Sequence, residues 1–225
     1  MIYVYSDTHF DHKNIIFYCN RREDWQEKFL ALHKKIVGPK DTVLFLGDLG
    51  FGSPKRMASL LAQLNFKRFI AVLGNHDKST NWLYECGVSK VLNEHGQELI
   101  ITDDEYPVKV VLVAKNDDPR TGQKWAEGDD PFVAISHEPY EKIDWPYLSA
   151  HTHNNPIPWG YNEYPYRIHR GMGRNVSVEM INYTPIPIPF LIGDEGWIRK
   201  YHEHYYKHLF GFEKSRKRRD VRKDI

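Results

Sequence analysis

A chain of 225 residues, 41% hydrophobic and 14% aromatic, is long enough for one well-filled core and one appended segment. Its 31 basic and 30 acidic residues nearly cancel, so overall charge marks neither a nucleic-acid nor a membrane partner. The two cysteines, Cys19 and Cys86, stand in no CxxC spacing, which argues against a thiolate metal site and a disulfide scaffold.

The charge is unevenly spread. Residues 214–225 hold seven Lys/Arg and two acids, leaving 24 of the 31 bases and 28 of the 30 acids in residues 1–213. The expected organisation is one domain over 1–213 and a basic tail over 214–225, read first as a solvated end and second as a surface for phosphate backbones. The chain opens directly into the strand-like Ile2-Tyr3-Val4-Tyr5, without the basic flank and longer apolar run of a signal peptide. No segment is apolar for long enough to span a bilayer, so the expected compartment is the cytoplasm, with no membrane partner.

After that first strand, residues 24–37 place Trp25, Phe29, Leu32 and Ile36 on one helical face, with Asp24 and Glu27 spaced as a capping box. Residues 42–46 read as a buried strand. Ser53-Pro54 opens a second helix whose Met57, Leu60, Leu61 and Leu64 face inward, and a third strand over 68–73 ends at Gly74. Repeated strand, loop and helix units predict an α/β architecture with strands buried on both faces. In the second half, residues 99–101, 108–113, 132–135 and 176–180 read as strands with few helices between them, as a second sheet would. Residues 115–130 and 154–175 read as loops, the latter rich in proline, glycine and aromatic rings. Pro185, Pro187 and Pro189 predict a sheet edge or a surface crossing, and a last amphipathic helix is expected over about 199–209.

The chemistry lies where His, Asp and Asn fall relative to these strands. Asp7 and His9 follow the first strand, Asp48 the second, and Asn75-His76-Asp77 the third; His137 follows 132–135, and His151 and His153 follow the short run 147–150. Loops leaving the carboxyl ends of parallel strands meet at one edge, so these groups are expected to converge. Imidazole mixed with carboxylate and amide oxygen suits Mn, Fe, Zn or Ni, and seven such groups exceed the needs of one ion. Two ions sharing a bridging carboxylate would use them economically and form a clamp for displacement at phosphorus.

Asp7-Thr8-His9, Gly47-Asp48, Gly74-Asn75-His76-Asp77, Ser136-His137 and His151-Thr152-His153 resemble the five ordered blocks of the calcineurin-like metallophosphoesterase superfamily. The blocks span residues 7 to 153. The opening 6–22 also resembles small bacterial and phage members. The resemblance implies two facing mixed β-sheets flanked by helices, a four-layer αββα sandwich, and hydrolysis of a phosphomonoester or phosphodiester by a water activated by two divalent metal ions, Mn foremost. It implies that Asp7, His9 and His153 hold one ion, that Asn75, His137 and His151 hold the other, and that Asp48 bridges them. His76 would stabilise developing charge or protonate the leaving oxygen, with Asp77 orienting its ring. One departure is visible, Ala150 where the family usually has glycine.

His151 and His153, two apart on an extended segment, would point to opposite faces unless the chain turns there. His12, Asn14 and Arg21 are candidates to reach a phosphate, although capping or surface pairing explains each more simply. His33, His95, His169, His202, His204 and His208 read as surface or core histidines. The rings Trp159, Tyr161, Tyr164 and Tyr166 suit either a packed loop or stacking on a base. Besides a small phosphoester, possibilities for the partner are a nucleotide or a nucleic acid, which would make the chain a nuclease. A non-catalytic binding module on the same fold ranks last because the donor set is complete. The sequence leaves no trace of oligomeric state.

Overall fold

The computed structural model describes residues 1–94, 96–102, 108–113, 132–139, 147–154 and 173–191. The expected loop 115–130, most of 154–175, the four aromatic residues within it, the helix at 199–209 and the basic tail lie outside the described residues. In chain order the elements are β1 (Ile2–Tyr5), α1 (Ile15–Tyr18), α2 (Trp25–Ile36), β2 (Thr42–Phe45), α3 (Pro54–Leu61), β3 (Arg68–Val72), α4 (Thr80–Glu85), β4 (Lys90–Leu92), β5 (Glu98–Ile101), β6 (Val108–Leu112), β7 (Phe132–Ile135), β8 (Tyr147–Ser149), β9 (Gly173–Asn175), β10 (Ile186–Pro187) and α5 (Ile188–Leu191).

The strands form two five-stranded sheets, ordered β10-β1-β2-β3-β4 and β5-β6-β7-β8-β9. Each has four parallel strands and one antiparallel edge strand, β10 in the first and β5 in the second. The prolines account for the edge: Pro187 lies opposite Tyr3 in β10, where a missing N–H costs no internal ladder bond. The fold is thus mixed α/β with two mixed sheets, as the sequence implied.

Side-chain alternation explains how the sheets share one core. In β6, Val108, Val110 and Leu112 join the large cluster containing Val43, Ile70 and Phe69 of the first sheet. Val111 and Val113 point the other way and pack with Ala134 and Tyr147. In the first sheet every residue of β1 and β2 is buried, as expected of parallel strands covered on both faces.

The helices show where local pattern sufficed. Ser53 Oγ caps α3 by accepting from Arg56 N at 3.2 Å, and Met57, Leu60 and Leu61 are buried as predicted. The expected capping box at α2 is absent, because the Asp24 carboxylate accepts from Arg22 instead, at 2.7 and 2.9 Å. Two further expectations fail. Residues 176–180 form no strand, since the chain turns through 178–183, with Asn182 and Tyr183 at φ of 50° and 61°. Within the expected loop 154–175, the last three residues are β9, parallel to β8.

The buried face of α2 is Trp25, Phe29 and His33, whereas Leu32 and Ile36 are only partly buried. His33 is 0% exposed and lies edge-on to Tyr5 at 5.5 Å and tilted against Phe29 at 5.8 Å. Neither ring nitrogen has a hydrogen-bond partner among the described residues. Burial therefore pushes its pKa down from 6.5 to about 3. The unfolded chain binds the proton more readily, so the stability that neutral His33 gives is complete above pH 6.5 and is lost as pH falls toward 3. Between pH 8 and pH 5 that loss is about 2 kcal/mol. Urea unfolding of His33→Leu across this range should show a flatter acid limb than wild type. Parallel limbs for the two proteins would contradict this account.

Candidate metal centre

The seven residues singled out as donors all lie just past strand ends, three segments from the first sheet and two from the second. Asp7 and His9 follow β1, Asp48 follows β2 and Asn75 follows β3; His137 follows β7, and His151 and His153 follow β8. Five of them adopt left-handed backbone: Asp7 at φ 54°, His9 at 45°, Asp48 at 64°, His151 at 68° and His153 at 51°. Such non-glycine conformations are uncommon and cluster at functional sites, where surrounding structure holds them in place. Ala150 is not among them, so alanine in place of glycine introduces no left-handed strain.

The left-handed turn resolves the geometry of His151 and His153. Instead of opposing each other, they serve adjacent groups. In the first, donor atoms of Asp7, His9 and His153 lie within 4.8 Å of one another; in the second, those of Asp48, His137 and His151 do. Asn75 joins the second group, its Oδ1 lying 2.7 Å from His137 Nε2 and 3.0 Å from His151 Nδ1. Asp48 Oδ2 stands between the groups, 3.5 Å from His9 Nε2 and 3.3 Å from His137 Nε2.

Burial grades across the site. Asp7, His9, Asp48 and His137 are buried, His151 is half-buried, and Asn75 and His76 are exposed. The floor is therefore closed and the rim open. His76 sits on that rim with its backbone N–H donating to Asp48 Oδ1 at 2.8 Å and its ring 5.3 Å from that of His9.

The electrostatics are those of a buried anionic cavity. Burial would raise the Asp48 pKa, but the hydrogen bond and charge of His137, with the charge of His9 and the His76 N–H, hold it at about 2. Burial would lower His137 and His153. For His137 the Asp48 bond and the charges of Asp7 and Asp48 prevail and raise it to about 9. For His153 the bonds to Cys19 and Glu179 and the charge of Asp7 raise it to about 10. His9, squeezed by burial and by its cationic neighbours, falls to about 2 against the pull of Asp48. Buried nitrogen and oxygen donors around such a field fit divalent cations well.

Asp77 is bound into the frame of the site. Among the described residues Asp77 accepts three hydrogen bonds, all from backbone N–H groups: Asp48 at 3.0 Å, Leu49 at 2.9 Å and Gly74 at 2.9 Å. Its carboxylate pins the β2 and β3 exit loops together. Burial raises its pKa, with the backbone bonds opposing.

Other residues of the site escaped the sequence reading. Ser177 Oγ donates to Asp7 Oδ2 at 3.0 Å, and Asn175 Nδ2 donates to Thr152 Oγ1 at 2.8 Å and to the His153 carbonyl at 2.9 Å, fixing the loop that carries both histidines. Arg21 is 3% exposed and forms an ion pair with Glu179, far from the surface pairing that its sequence context suggested. A signal was present: Asn175, Ser177 and Glu179 alternate with Val176, Val178 and Met180, a polar face where a fully buried strand would have none.

Two glycines make room for Asp48. Gly47 adopts φ +99°, and a Cβ there would lie 2.7 Å from Gly74 Cα; a Cβ on Gly74 would lie 2.3 Å from Asp48 Oδ1. Gly74→Ala should therefore cost about 1–3 kcal/mol and displace the Asp48 carboxylate. Calorimetric melting with and without Mn²⁺ is expected to show an upward shift in the wild type and little or none in the variant. A full Mn²⁺-dependent shift in Gly74→Ala would show that the glycine does not set the position of Asp48.

Comparison with known proteins agrees with this geometry. An uncharacterized protein of Methanocaldococcus jannaschii, MJ1445, is 29% identical over 197 residues, covering 85% of this chain and 89% of that protein. The gene 66 protein of Mycobacterium phage L5 is 36% identical over 77 residues, 32% of this chain and 37% of that protein. Among solved structures, a protein of unknown function from Aquifex aeolicus, AQ665, shares the fold with a TM-score of 0.52 at 24% identity, covering 83% of this chain and 94% of that one. The model of the calcineurin-like phosphoesterases matches residues 1–155, the stretch that supplies all seven convergent donors. The chain belongs to the calcineurin-like phosphoesterase family, whose chemistry is metal-dependent hydrolysis of phosphoesters.

Proposed function

We propose that this protein hydrolyses a phosphomonoester or phosphodiester at a dinuclear centre, with Asp7, His9 and His153 holding one divalent cation, Asn75, His137 and His151 the other, and Asp48 shared between them. The observation that carries this reading is the position of Asp48 Oδ2, within 3.5 Å of a donor nitrogen from each group. A buried carboxylate so placed is suited to positive charge on both sides of it. Mn is the leading candidate, and Fe, Zn and Ni accept the same mixture of donors.

When bound, the cations supply a Lewis-acid field that activates a water and offsets charge on the phosphoryl oxygens. The chain's own residues do the rest. Asp7, clamped by Ser177 Oγ and by the His151 N–H at 3.2 and 3.1 Å, and Asp48, clamped by the His76 N–H, keep their oxygens aimed at the cavity. His76, exposed on the rim, is placed to donate a proton from a ring nitrogen to the leaving oxygen. Beside the second group, a cavity of about 370 Å³ runs from Asn75 and His137 to Asn93 and Glu138, with Leu92 and Leu112 in its wall, room for the organic part of a small substrate.

A nuclease reading draws on a different observation. Phe51 is 45% exposed and its ring lies 5.8 Å from His9 and 5.4 Å from His76, while Tyr18, 66% exposed, lies 6.0 Å from the His12 ring. A base of a nucleotide or oligonucleotide would find aromatic faces there. A non-catalytic module ranks last, since all seven donors are present and convergent.

Asp48→Asn is expected to abolish turnover of aryl phosphates and aryl phosphodiesters, and His76→Ala to reduce it by about 10²–10⁴-fold, with circular dichroism unchanged. Chelation should silence the wild type and Mn²⁺ restore it. Wild-type rates in Asp48→Asn, or activity indifferent to chelator, would sink the mechanism. Adding oligonucleotides and cyclic nucleotides to the panel decides between the two substrate classes.

A further inference from the structure

Behind the His153 ring, on the side away from the cavity, lies a buried ion pair that the proposed reaction does not use. Glu179 sits in the turn after β9 with its side chain 6% exposed. Its Oε1 lies 3.2 Å from His153 Nδ1 and also accepts from Arg21 Nε. The two terminal nitrogens of Arg21 donate to the backbone carbonyls of Thr8 at 2.8 Å and Asp7 at 2.5 Å, and its guanidinium carbon lies 4.4 Å from the centre of the Trp25 ring. One guanidinium therefore grips both the segment that carries Asp7 and His9 and the carboxylate that carries His153.

A buried ion pair contributes little net stability, because desolvation offsets its attraction; its effect lies in the geometry it imposes. A carboxylate can only accept, so the hydrogen on His153 is held at Nδ1. When the ring is neutral, as a cation ligand must be, that leaves the Nε2 lone pair on the side of Asp7 Oδ1, 3.6 Å away, and His9 Nε2, 3.2 Å away. The second group is backed differently. His137 Nδ1 donates to the neutral carbonyl of Leu46 at 2.7 Å. We propose that Glu179, held by Arg21, is the positioning residue that fixes the tautomer and ring angle of His153, and that this anionic backing makes the first cation position the tighter of the two. The inference rests on the ligand assignment proposed above.

A third cation position must be weighed against this. Cys19, His153 and Glu179 also bring donor atoms within 4.8 Å of one another, and Glu179 Oε2 is buried without a partner among the described residues. Arg21 already neutralises Glu179, and His153 already faces the first cation position. A further cation would therefore meet two positive neighbours at short range in a poorly solvated place. The pair is better explained as a brace.

The test is calorimetric titration of the metal-stripped full chain with Mn²⁺, for wild type, Glu179→Gln, Glu179→Asp and His153→Ala. Expected are two unequal steps in the wild type, a ten- to hundredfold weakening of the tighter step in Glu179→Gln with the weaker step unchanged, and partial rescue by Glu179→Asp. Superimposable isotherms for wild type and Glu179→Gln, equal weakening of both steps, or loss of a third equivalent of Mn²⁺ would each overturn the proposal. An isotherm of His153→Ala identical to wild type would instead overturn the ligand assignment beneath it. Should Glu179→Gln fail to fold, long-range ¹H–¹⁵N correlation on Zn²⁺-loaded wild type reads the tautomer directly. A proton on His153 Nδ1 is expected, and one on Nε2 refutes the brace.

Discussion

The carboxylates of Asp7 and Asp48 in the cavity and of Glu179 behind His153 are buried close together, and the rest of the site is arranged to make that concentration of negative charge tolerable. Burying an ionised carboxylate without compensation is so costly that the group would protonate instead. Each here is compensated in a different way. Asp7 is held by a hydroxyl and a backbone N–H, Glu179 by a guanidinium, and Asp48 by a backbone N–H and the imidazoles on either side. Part of the compensation comes from protons. His137 and His153, one in each group, are the two imidazoles whose pKa rises, to about 9 and about 10, so each group carries one protonated ring, His137 against Asp48 and His153 against Asp7 and Glu179. Divalent cations bound as proposed would replace those protons in the same field, which couples metal affinity to proton binding in such sites.

Holding donors this close requires backbone conformations that few sequences adopt unaided. Five donors in left-handed backbone represent strain of order 1–3 kcal/mol each, supportable only where neighbouring structure over-determines them. The supports are visible. Asp77 ties the β2 and β3 exits with three backbone bonds, Asn175 ties the His151–His153 turn with two, and Gly47 and Gly74 approach each other where side chains would collide. None of these four residues offers a donor to a cation. They form the frame that lets others do so.

What could be read from the sequence divides along the same line. The donors were legible because each is a polar residue at the end of a short apolar run, and α/β topology sends such ends to one edge. The helix face of α3, the Trp25 and Phe29 half of α2's and the proline-marked edge β10 were legible locally, whereas the buried His33 of α2 was not. The frame was not, because its bonds join residues far apart in the chain: Asp7 to Ser177, Arg21 to Glu179, Thr152 to Asn175. Asp77 illustrates the limit well. Its adjacency to His76 suggested a partner in sequence, whereas its bonds run to Asp48 and Leu49, nearly thirty residues back. Residues 176–180 misled for a related reason, since a run with strand composition was needed to turn so that its polar face could reach the site.

The origin of the donors in both sheets has a consequence for stability. Asp7, His9, Asp48 and Asn75 belong to the first sheet, His137, His151 and His153 to the second, and each group draws on both. Among the described residues, the backbone links between the sheets near the site are few; Ser6 bonds Val176 at 3.0 Å and Val178 at 3.2 Å. Elsewhere the sheets are joined by side-chain packing, which is strong but tolerant of small sliding. Under the proposed assignment, cations engaging donors from both sides would bind only the correctly registered arrangement, and whatever binds that state alone stabilises it by mass action. Under that assignment the cavity would do two jobs with one set of atoms. The convergence that prepares it for chemistry also makes an occupied site a clasp between the sheets.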